Sequence, residues 1–187
     1  MKIIDRIKRA IRVYDVFYAD STEMLDKAQK LLRPLPEGCE LVKLTQENKD
    51  KYKCQWDVNQ MLQVDGEAWA IVNGNEIVAF HYGTYRGKTS MFFNVKKCDF
   101  EHIELMVDEK LRRNGIGLYL LYHTVKTLNP KYIKNSKLGT VIKPDNIPSI
   151  KLHELIGFKK SHRLIFFHRA RTANGRIRFI NIPQYSI

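Results

Sequence analysis

The sequence predicts an α+β fold: a mostly antiparallel, twisted sheet flanked by helices, with one parallel strand pair. Two hairpin signals, the Asn-Gly-Asn turn at 73–75 and the Thr-Ala-Asn-Gly turn at 172–175, predict the antiparallel strands, because Asn and Gly accept the positive φ angles of tight turns. Between them, a strand-helix-strand-helix order over 101–157 predicts the parallel pair. Since no internal repeat or second core is found, residues 1–187 are expected to form a single domain.

The first 38 residues are expected to be a helical appendage to a core at 39–187. Apolar residues spaced three and four apart, with basic residues between them, predict an amphipathic helix over 2–17. A second helix is expected from Ser21, a typical N-cap residue, until the prolines of the Pro-Leu-Pro-Glu-Gly stretch at 34–38. That stretch is typical of a boundary.

The core is expected to begin as a strand meander, to continue as the strand-helix unit and to end in a hairpin. A polar helical region is predicted over 46–62. One predicted helix ends at Asn129-Pro130 and has four apolar residues on one face, Leu118, Leu121, Val125 and Leu128. The next has Pro148 in its first turn and Gly157 after its last. The predicted strands lie at 41–44, 68–72, 76–85, 91–95, 101–107, 139–142, 162–169 and 176–182.

Composition and charge restrict the class of partner. Lys and Arg number 32 and Asp and Glu 20, so the formal net charge of +12 favours an anionic partner: nucleic acid, an acidic membrane surface or a polyphosphorylated cofactor. No apolar run approaches the roughly 20 residues of a membrane span, and the start lacks the apolar centre of a signal peptide, so a cytoplasmic protein is expected. Three separated cysteines without a Cys-x-x-Cys pair predict no metal site.

The segment from Val107 to Gly117 combines glycines and basic residues between a predicted strand and a predicted helix. Glycines let the backbone approach an anion, and the first turn of a helix offers unpaired N–H groups at the positive end of its dipole. A Walker loop is excluded because no Gly-Lys-Ser/Thr follows. A dinucleotide fingerprint is excluded because Leu120 stands where the third glycine belongs. The segment therefore predicts a pyrophosphate-binding loop.

Two motifs resemble the GCN5-related N-acetyltransferase (GNAT) superfamily. The Arg-x-x-Gly-x-Gly pattern at 112–117 opens a helix, with Val107 five residues before the arginine, and is similar to the family's acetyl-CoA pyrophosphate loop. The segment at 146–158, Asn-Ile-Pro-Ser-Ile-Lys-Leu-His-Glu-Leu-Ile-Gly-Phe, resembles the family's Asn-x-x-Ser/Ala-x-x-Leu-Tyr-x-x-x-Gly-Phe segment. The resemblance covers about residues 67–170. It implies a sheet whose strand at 101–107 splays away from the strand at 139–142.

The resemblance also implies an acetyl-CoA site in the wedge between those two strands. The pantetheine arm would pair with the backbone of the splayed strand. Asn146 would reach the arm from a helical stripe that also carries Ser149 and His153. The implied cofactor-binding residues are Leu105, Met106, Val107, Arg112, Arg113, Asn114, Gly115, Ile116, Gly117, Asn146 and Ser149.

The implied reaction is direct acetyl transfer in a ternary complex, from acetyl-CoA to the primary amine of a small molecule, for which an amino sugar is one candidate. Backbone N–H groups of the splayed strand would stabilise the oxyanion. Glu104, expected to share a strand face with His102, is the candidate general base, and a solvated strand face or a cross-strand ion pair is the alternative for both. His153 stands where the family usually has tyrosine, so it is either the general acid for the CoA thiolate or a substrate-binding residue.

Other interpretations of the chain stay open. A basic nucleic-acid-binding or partner-binding module with a non-catalytic CoA site is the alternative function, although scattered basic residues make nucleic acid the weaker partner. The basic helix at 2–17 has the pattern of an interfacial membrane segment, and equally of a helix that covers the sheet or a partner subunit, so peripheral membrane contact and a homodimer are both possible. His81, Tyr82, Thr84 and Tyr85 are expected either to line the acceptor pocket or to pack in the sheet.

Overall fold

The described residues form one eight-stranded sheet with three α-helices. The structure is a computed structural model that describes residues 11–58, 62, 66–85, 98–128, 136–168 and 179–181. The elements are β1 (Ile11–Asp20), α1 (Ser21–Gln29), β2 (Cys39–Lys43), β3 (Gly66–Asn73), β4 (Glu76–Tyr85), β5 (Phe100–Val107), α2 (Ile116–Thr127), β6 (Lys137–Ile142), α3 (Ile147–Leu155), β7 (Lys159–His168) and β8 (Phe179–Asn181). The strand order is β2-β3-β4-β5-β6-β1-β7-β8. The pairing of β5 with β6 is parallel and the others are antiparallel, so the predicted fold class is confirmed.

The helix predicted over 2–17 is wrong for residues 11–17, which belong to β1, and residues 2–10 lie outside the described residues. β1 pairs with β6 on one side and with β7 on the other. Val16 and Phe17 are both buried, because a central strand is covered on both faces and loses the alternation that identifies a strand. The argument for an interfacial helix loses its basis, while the boundary at residue 38 stays a prediction.

Ion pairs hold β1 to β7 at Asp15. Asp15 is 3% exposed. Its carboxylate accepts hydrogen bonds from Arg163 at 2.7 and 3.1 Å and from Lys160 at 2.8 Å. The bond from Arg163, against the opposing effect of burial, lowers the pKa of Asp15. Burial of this carboxylate is therefore compensated by two cations.

The helix predicted after Ser21 is confirmed as α1, but its N-cap is Asp20. The Asp20 carboxylate accepts from the backbone N–H groups of Thr22 at 2.9 Å and of Glu23 at 3.0 Å. The Ser21 hydroxyl instead accepts from the N–H of Ser136 at 3.1 Å. The serine thus joins α1 to the start of β6, and the carboxylate before it satisfies the first turn.

The hairpin predicted at 73–75 is confirmed by the pairing of β3 with β4, and Gly74 has a φ of 57°. The antiparallel pairing of β7 with β8 is that of the predicted closing hairpin, whose turn at 172–175 lies outside the described residues. The strand predicted at 91–95 lies outside the described residues. Within 46–58, where a helical region was predicted, the structure has a 3₁₀ turn at Lys49–Lys51, so that prediction is wrong there.

The sheet separates two apolar layers. On one face, Leu121 of α2 belongs to the same core cluster as Phe100 of β5. On the other face, Val58 belongs to a cluster that includes Tyr82 of β4. Because side chains alternate along a strand, His81 next to Tyr82 points into the helical layer. The fold therefore buries a polar ring between β4 and α2.

β5 and β6 separate after three residue pairs, Phe100 with Leu138, Glu101 with Gly139 and His102 with Thr140. Beyond His102 no further pairing joins the two strands in the described chain, although β5 continues to Val107. β5 stays paired with β4 over that length. The predicted splay of the parallel pair is confirmed, and it opens a wedge in the middle of the sheet.

Candidate functional site

The wedge holds a cleft of about 350 Å³. One wall is β5 from Ile103 to Met106, and the other is the end of β6 with Lys143. The stripe of α3 that carries Asn146, Ser149 and His153 closes one side. His81, His102, Tyr14, Leu121 and Thr140 complete the lining.

The loop before α2 has the backbone geometry of an anion cradle. Arg113 and Gly115 have positive φ angles, 69° and 80°. Gly115 is the N-cap of α2, and glycine has no side chain with which to cap the first turn. The N–H groups of Ile116 and Gly117 point out of the helix without an acceptor from the preceding turn. An anion in front of them meets backbone donors and the positive end of the helix dipole.

Gly117 lies close to both α3 and β5. A Cβ at this position would lie 3.3 Å from Cδ2 of Leu152 on α3 and 3.5 Å from Cδ2 of Leu105 on β5. The absence of a side chain lets α2 begin directly against the splayed strand, so the cradle and the wedge adjoin. Both Leu105 and Met106 line the cleft, whereas Val107 is not among its lining residues.

Basic side chains surround the loop. Arg112 and Arg113 are exposed, and the Arg112 guanidinium donates to Oε1 of Glu109 at 3.1 Å and to the carbonyl of Val107 at 3.3 Å. The side chain of Arg33 lies about 3.8 Å from the position that a Cβ on Gly115 would take. Sequence analysis missed Arg33, which stands before Pro34 without any motif, and only its charge could have drawn attention to it.

The prediction that Glu104 and His102 share a strand face is wrong. In the register with β4, His102 pairs with Gly83 and Glu104 pairs with Tyr82, so the two side chains lie on opposite faces. Ile103 is the extra residue of a β-bulge, which shifts the alternation by one. Glu104 still lines the cleft, and burial raises the pKa of its carboxyl although the charge of Lys143 opposes the shift.

Three buried histidines meet at the cleft. His81, His102 and His153 are 0%, 3% and 2% exposed. Nε2 of His81 lies 2.9 Å from Nδ1 of His102, and Nδ1 of His81 lies 3.0 Å from the hydroxyl of Thr124. The rings of His102 and His153 both contact the ring of Phe158 edge-on. Sequence analysis named each histidine separately but missed the cluster, because it depends on strand register.

Burial holds all three imidazoles neutral. It lowers the pKa of His81 to about 3 and that of His153 to about 4. Burial also lowers the pKa of His102 well below its usual value, with further lowering by His81 and His153. The cluster is therefore a set of uncharged hydrogen-bonding groups at neutral pH.

The tautomer of His153 follows from its partner. Nδ1 lies 2.8 Å from the carbonyl oxygen of Ser149, which can only accept, so Nδ1 carries the proton. Nε2 of the neutral ring is then unprotonated, and within the described residues it has no hydrogen-bond partner. Asn146, one turn before Ser149, caps α3 by accepting from the N–H of Ser149 at 3.3 Å. In its neutral form His153, which lines the cleft, therefore has a buried and unprotonated Nε2.

Two features are absent from the described residues, a cluster of metal-ligating side chains and a helix that could span a membrane. No three His, Cys, Asp or Glu side chains there are grouped so that they could hold a metal ion. No helix in the same residues is long and apolar enough to cross a membrane.

Comparison with known proteins gives a family match and several solved structures. The model of the acetyltransferase (GNAT) family matches residues 25–158, more than half of the chain. No curated protein matches. A GCN5-related N-acetyltransferase-like protein from Streptococcus suis is 17% identical with a TM-score of 0.53, over 87% of this chain and 64% of that one.

Two further solved structures share the fold. A tandem GNAT protein from the clavulanic acid biosynthesis pathway is 12% identical with a TM-score of 0.58, over 82% of this chain and 51% of that one. The aminoglycoside N-acetyltransferase AAC(6')-Iy in complex with CoA is 17% identical with a TM-score of 0.53, over 71% of this chain and 100% of that one. The chain spans about half to two thirds of the length of the first structures it resembles.

Proposed function

Because the chain belongs to the acetyltransferase (GNAT) family, we propose that it transfers an acetyl group from acetyl-CoA to the primary amine of a small molecule. The observation that carries the proposal is the contact between two features, the uncapped start of α2 and the open wedge beyond His102. The first offers backbone donors to a pyrophosphate. The second offers an unpaired strand edge to an extended, amide-containing arm. Coenzyme A contains both groups.

The residues around these features fit coenzyme A. The pyrophosphate would accept from the backbone amides of 112–117, with the exposed Arg113 in the loop itself and the aliphatic part of the Arg33 side chain against Gly115. The pantetheine arm would pair with the β5 backbone from Leu105 to Val107. The side-chain amide of Asn146 and the hydroxyl of Ser149 would meet the arm from α3. The two positive-φ residues and the absent side chain at Gly117 favour such a cradle over an ordinary turn.

An amino sugar is the acceptor class we favour. AAC(6')-Iy, which shares the fold at 16% identity, forms a complex with the bisubstrate analogue CoA-S-monomethyl-acetylneamine. In this chain Glu104 supplies a carboxylate at the cleft that attracts an ammonium group. Hydrogen-bonding groups on α3 and β5 suit a polar acceptor.

The proposed reaction needs two proton transfers, which we assign to Glu104 and His153. An ammonium must lose one proton before its nitrogen attacks the thioester, and we assign that proton to Glu104, whose raised pKa makes it a stronger base than an exposed carboxylate. The departing thiolate needs a proton at sulfur, and we assign its delivery to His153. Since neutral His153 carries no proton at Nε2, it must receive one during each cycle.

Calorimetric titration with acetyl-CoA tests the cofactor site. We expect micromolar binding by the native chain and a loss of affinity of at least about tenfold in the double variant Arg112→Ala/Gly115→Ala, which removes a cation and strains the N-cap. The matched control is Lys51→Ala/Gly74→Ala, which also removes one cation and one positive-φ glycine but lies away from the cleft. It should bind like the native chain.

Release of CoA thiol in the presence of amino sugars then tests the transfer. Absence of acetyl-CoA binding by folded native protein would reject the proposal. If the chain binds acetyl-CoA but releases no CoA thiol with any amine tested, the proposal is reduced to a CoA-binding module.

A further inference from the structure

The carboxylates on the sheet differ in whether a cation compensates them. Asp15 contacts two cations, as described above. Glu67 accepts a contact from Nζ of Lys43 at 2.8 Å. Glu104 is partly buried and lines the cleft, but no hydrogen bond or ion pair joins its carboxylate to another described residue. Its oxygens are not among the fully enclosed polar atoms of the described chain. Glu104 therefore keeps an accessible, uncompensated carboxylate at the cleft.

Lys143 is the cation on the other wall of the same cleft. It is exposed, it directly follows β6, and its side chain has no hydrogen bond or ion pair to another described residue. Its positive charge acts on the Glu104 carboxyl, because it opposes the rise that burial causes in the pKa of that group. The ammonium group is thus near Glu104 but beyond ion-pair distance.

The splay of the sheet keeps these two charges apart. The pairing of β5 with β6 ends at His102 and Thr140. Glu104 lies two residues beyond that end on β5, and Lys143 lies three residues beyond it on the other chain segment. The two walls diverge from there, so the charges face the opening between the strands. Opposite charges on facing walls complement a molecule that carries both charges itself.

Resting on the proposed acetyl transfer, we propose that Lys143 determines acceptor specificity by binding an anionic group of the acceptor, while Glu104 attracts its amino group. The acceptor is then an amino sugar that also carries a phosphate or a carboxylate. Lys143 would contact substrate without taking part in the chemistry, so it is a specificity residue.

The charge of the whole chain favours the same class of acceptor. The formal net charge is +12. An amine without an anionic group is a cation at neutral pH, so the chain repels it at long range. A phosphate or carboxylate on the same molecule removes or reverses that repulsion. The two uncompensated side chains and the net charge thus favour an acceptor with both charges.

Lys143 could instead act on Glu104 alone, since a long lysine side chain can moderate a nearby carboxylate without contacting substrate. The two roles give different results in Lys143→Met, which removes the charge and keeps a similar length. An effect through Glu104 would change the turnover of every amine by the same factor. Binding of an anionic group would change the turnover of anionic amines selectively.

Three acceptors with the same ring separate these roles: glucosamine, glucosamine 6-phosphate and glucosaminuronic acid, which are neutral, phosphorylated and carboxylated at carbon 6. CoA thiol release gives kcat/KM for each. We expect the native chain to favour the phosphate over glucosamine at least about tenfold and the carboxylate about threefold, because a phosphate carries more charge at pH 7. In Lys143→Met both preferences should fall to about twofold or less.

Lys151→Met is the matched control. Lys151 is an exposed lysine on α3, close in sequence to Lys143 but not among the residues that line the cleft. This variant loses the same charge from the same region, so it should keep the native preferences for both anionic sugars.

Calorimetry measures acceptor binding without the reaction. Glucosamine 6-phosphate is titrated into the chain saturated with CoA, which has no acetyl group to transfer. Lys143→Met should raise the Kd of glucosamine 6-phosphate at least about fivefold and change the acetyl-CoA Kd less than about twofold. Because no transfer occurs, a chain that binds the anionic sugar through Lys143 but acetylates no amine would contradict the proposed function and support this inference.

Four results would overturn the inference. The first is equal kcat/KM for neutral and anionic sugars in a native chain that acetylates amines. The second is an equal loss with all three sugars in Lys143→Met. The third is a raised acetyl-CoA Kd in Lys143→Met with native preferences, which would assign Lys143 to the cofactor. The fourth is no binding of either anionic sugar to the CoA complex. A preference for one anionic sugar alone would support the inference and identify the anionic group.

Discussion

The loop at 112–117 and the histidine cluster lie beside the same wedge but work in opposite electrostatic conditions. The loop is largely exposed, carries Arg112 and Arg113, and offers backbone N–H groups at a helix start. The cluster is buried, uncharged, and offers ring nitrogens. The difference teaches that one side of the cleft is exposed and basic and the other is buried and uncharged, which suits the anion binding and the proton transfer of the proposed function respectively.

The largest expected difference between the two regions is in how they affect the free energy of unfolding as the pH falls. The folded-state pKa values of the histidines lie below the unfolded value of about 6.5, so the unfolded chain binds more protons below pH 6.5 and stability falls as pH drops from there toward about 4. Each histidine contributes up to about 1.4 kcal/mol per pH unit. Urea unfolding at pH 7, 6 and 5 measures the slope. His153→Gln should reduce it, and Arg113→Ala should not; equal slopes in all three proteins would contradict the buried neutral cluster.

Gly83→Ala should destabilise the bulge that orients the cluster. A Cβ there would lie 2.3 Å from the Phe100 ring and 2.7 Å from the Glu101 carbonyl, opposite His102. We expect a loss of about 3 kcal/mol in the free energy of unfolding. Gly74→Ala, at an open hairpin turn with positive φ, is the control and should lose about 1 kcal/mol. Urea titration measures the free energy of unfolding of both variants, and equal losses in the two would contradict the close packing at the bulge.

His153→Gln should separate chemistry from cofactor binding. We expect kcat to fall about 100-fold, because a proton carrier is lost, while the acetyl-CoA Kd stays unchanged. His123→Gln, a partly buried histidine on α2 outside the cleft, is the matched control. Steady-state kinetics and calorimetry give the two quantities. A raised Kd with native kcat would assign His153 to substrate binding instead.

Arg113→Ala should have the smallest effect, and unlike His153→Gln it should change the acetyl-CoA Kd rather than kcat. Loss of one exposed cation near a pyrophosphate should raise the acetyl-CoA Kd about fivefold, because an exposed charge contributes about 1 kcal/mol. The difference should shrink as salt rises. Calorimetry at low and high salt measures the acetyl-CoA Kd of native chain and variant, with Lys51→Ala as the control. A salt-independent difference would indicate a structural effect of Arg113.

Local sequence signals predicted the glycine-containing loop before α2 because its backbone geometry depends on neighbours along the chain. Arg112, Gly115 and Gly117 are close in sequence, and the strand before them and the helix after them have ordinary periodicity. The same holds for Asn146, Ser149 and His153, which one helical stripe brings to the cleft. The prediction of a helix over residues 11–17 was wrong because a strand that is buried on both faces shows no alternation of apolar and polar residues.

The sequence by itself determined the α+β class and the hairpin at 73–75, because turns, caps and periodicity are properties of short segments. Its resemblance to a known family implied the splayed parallel pair. Only the tertiary structure decided that β1 fills the middle of the sheet, that a bulge at Ile103 turns Glu104 and His102 to opposite faces, and that His81 meets Thr124. These contacts join residues far apart in the chain. A shift of one residue in strand register would abolish them, and no local pattern specifies that register.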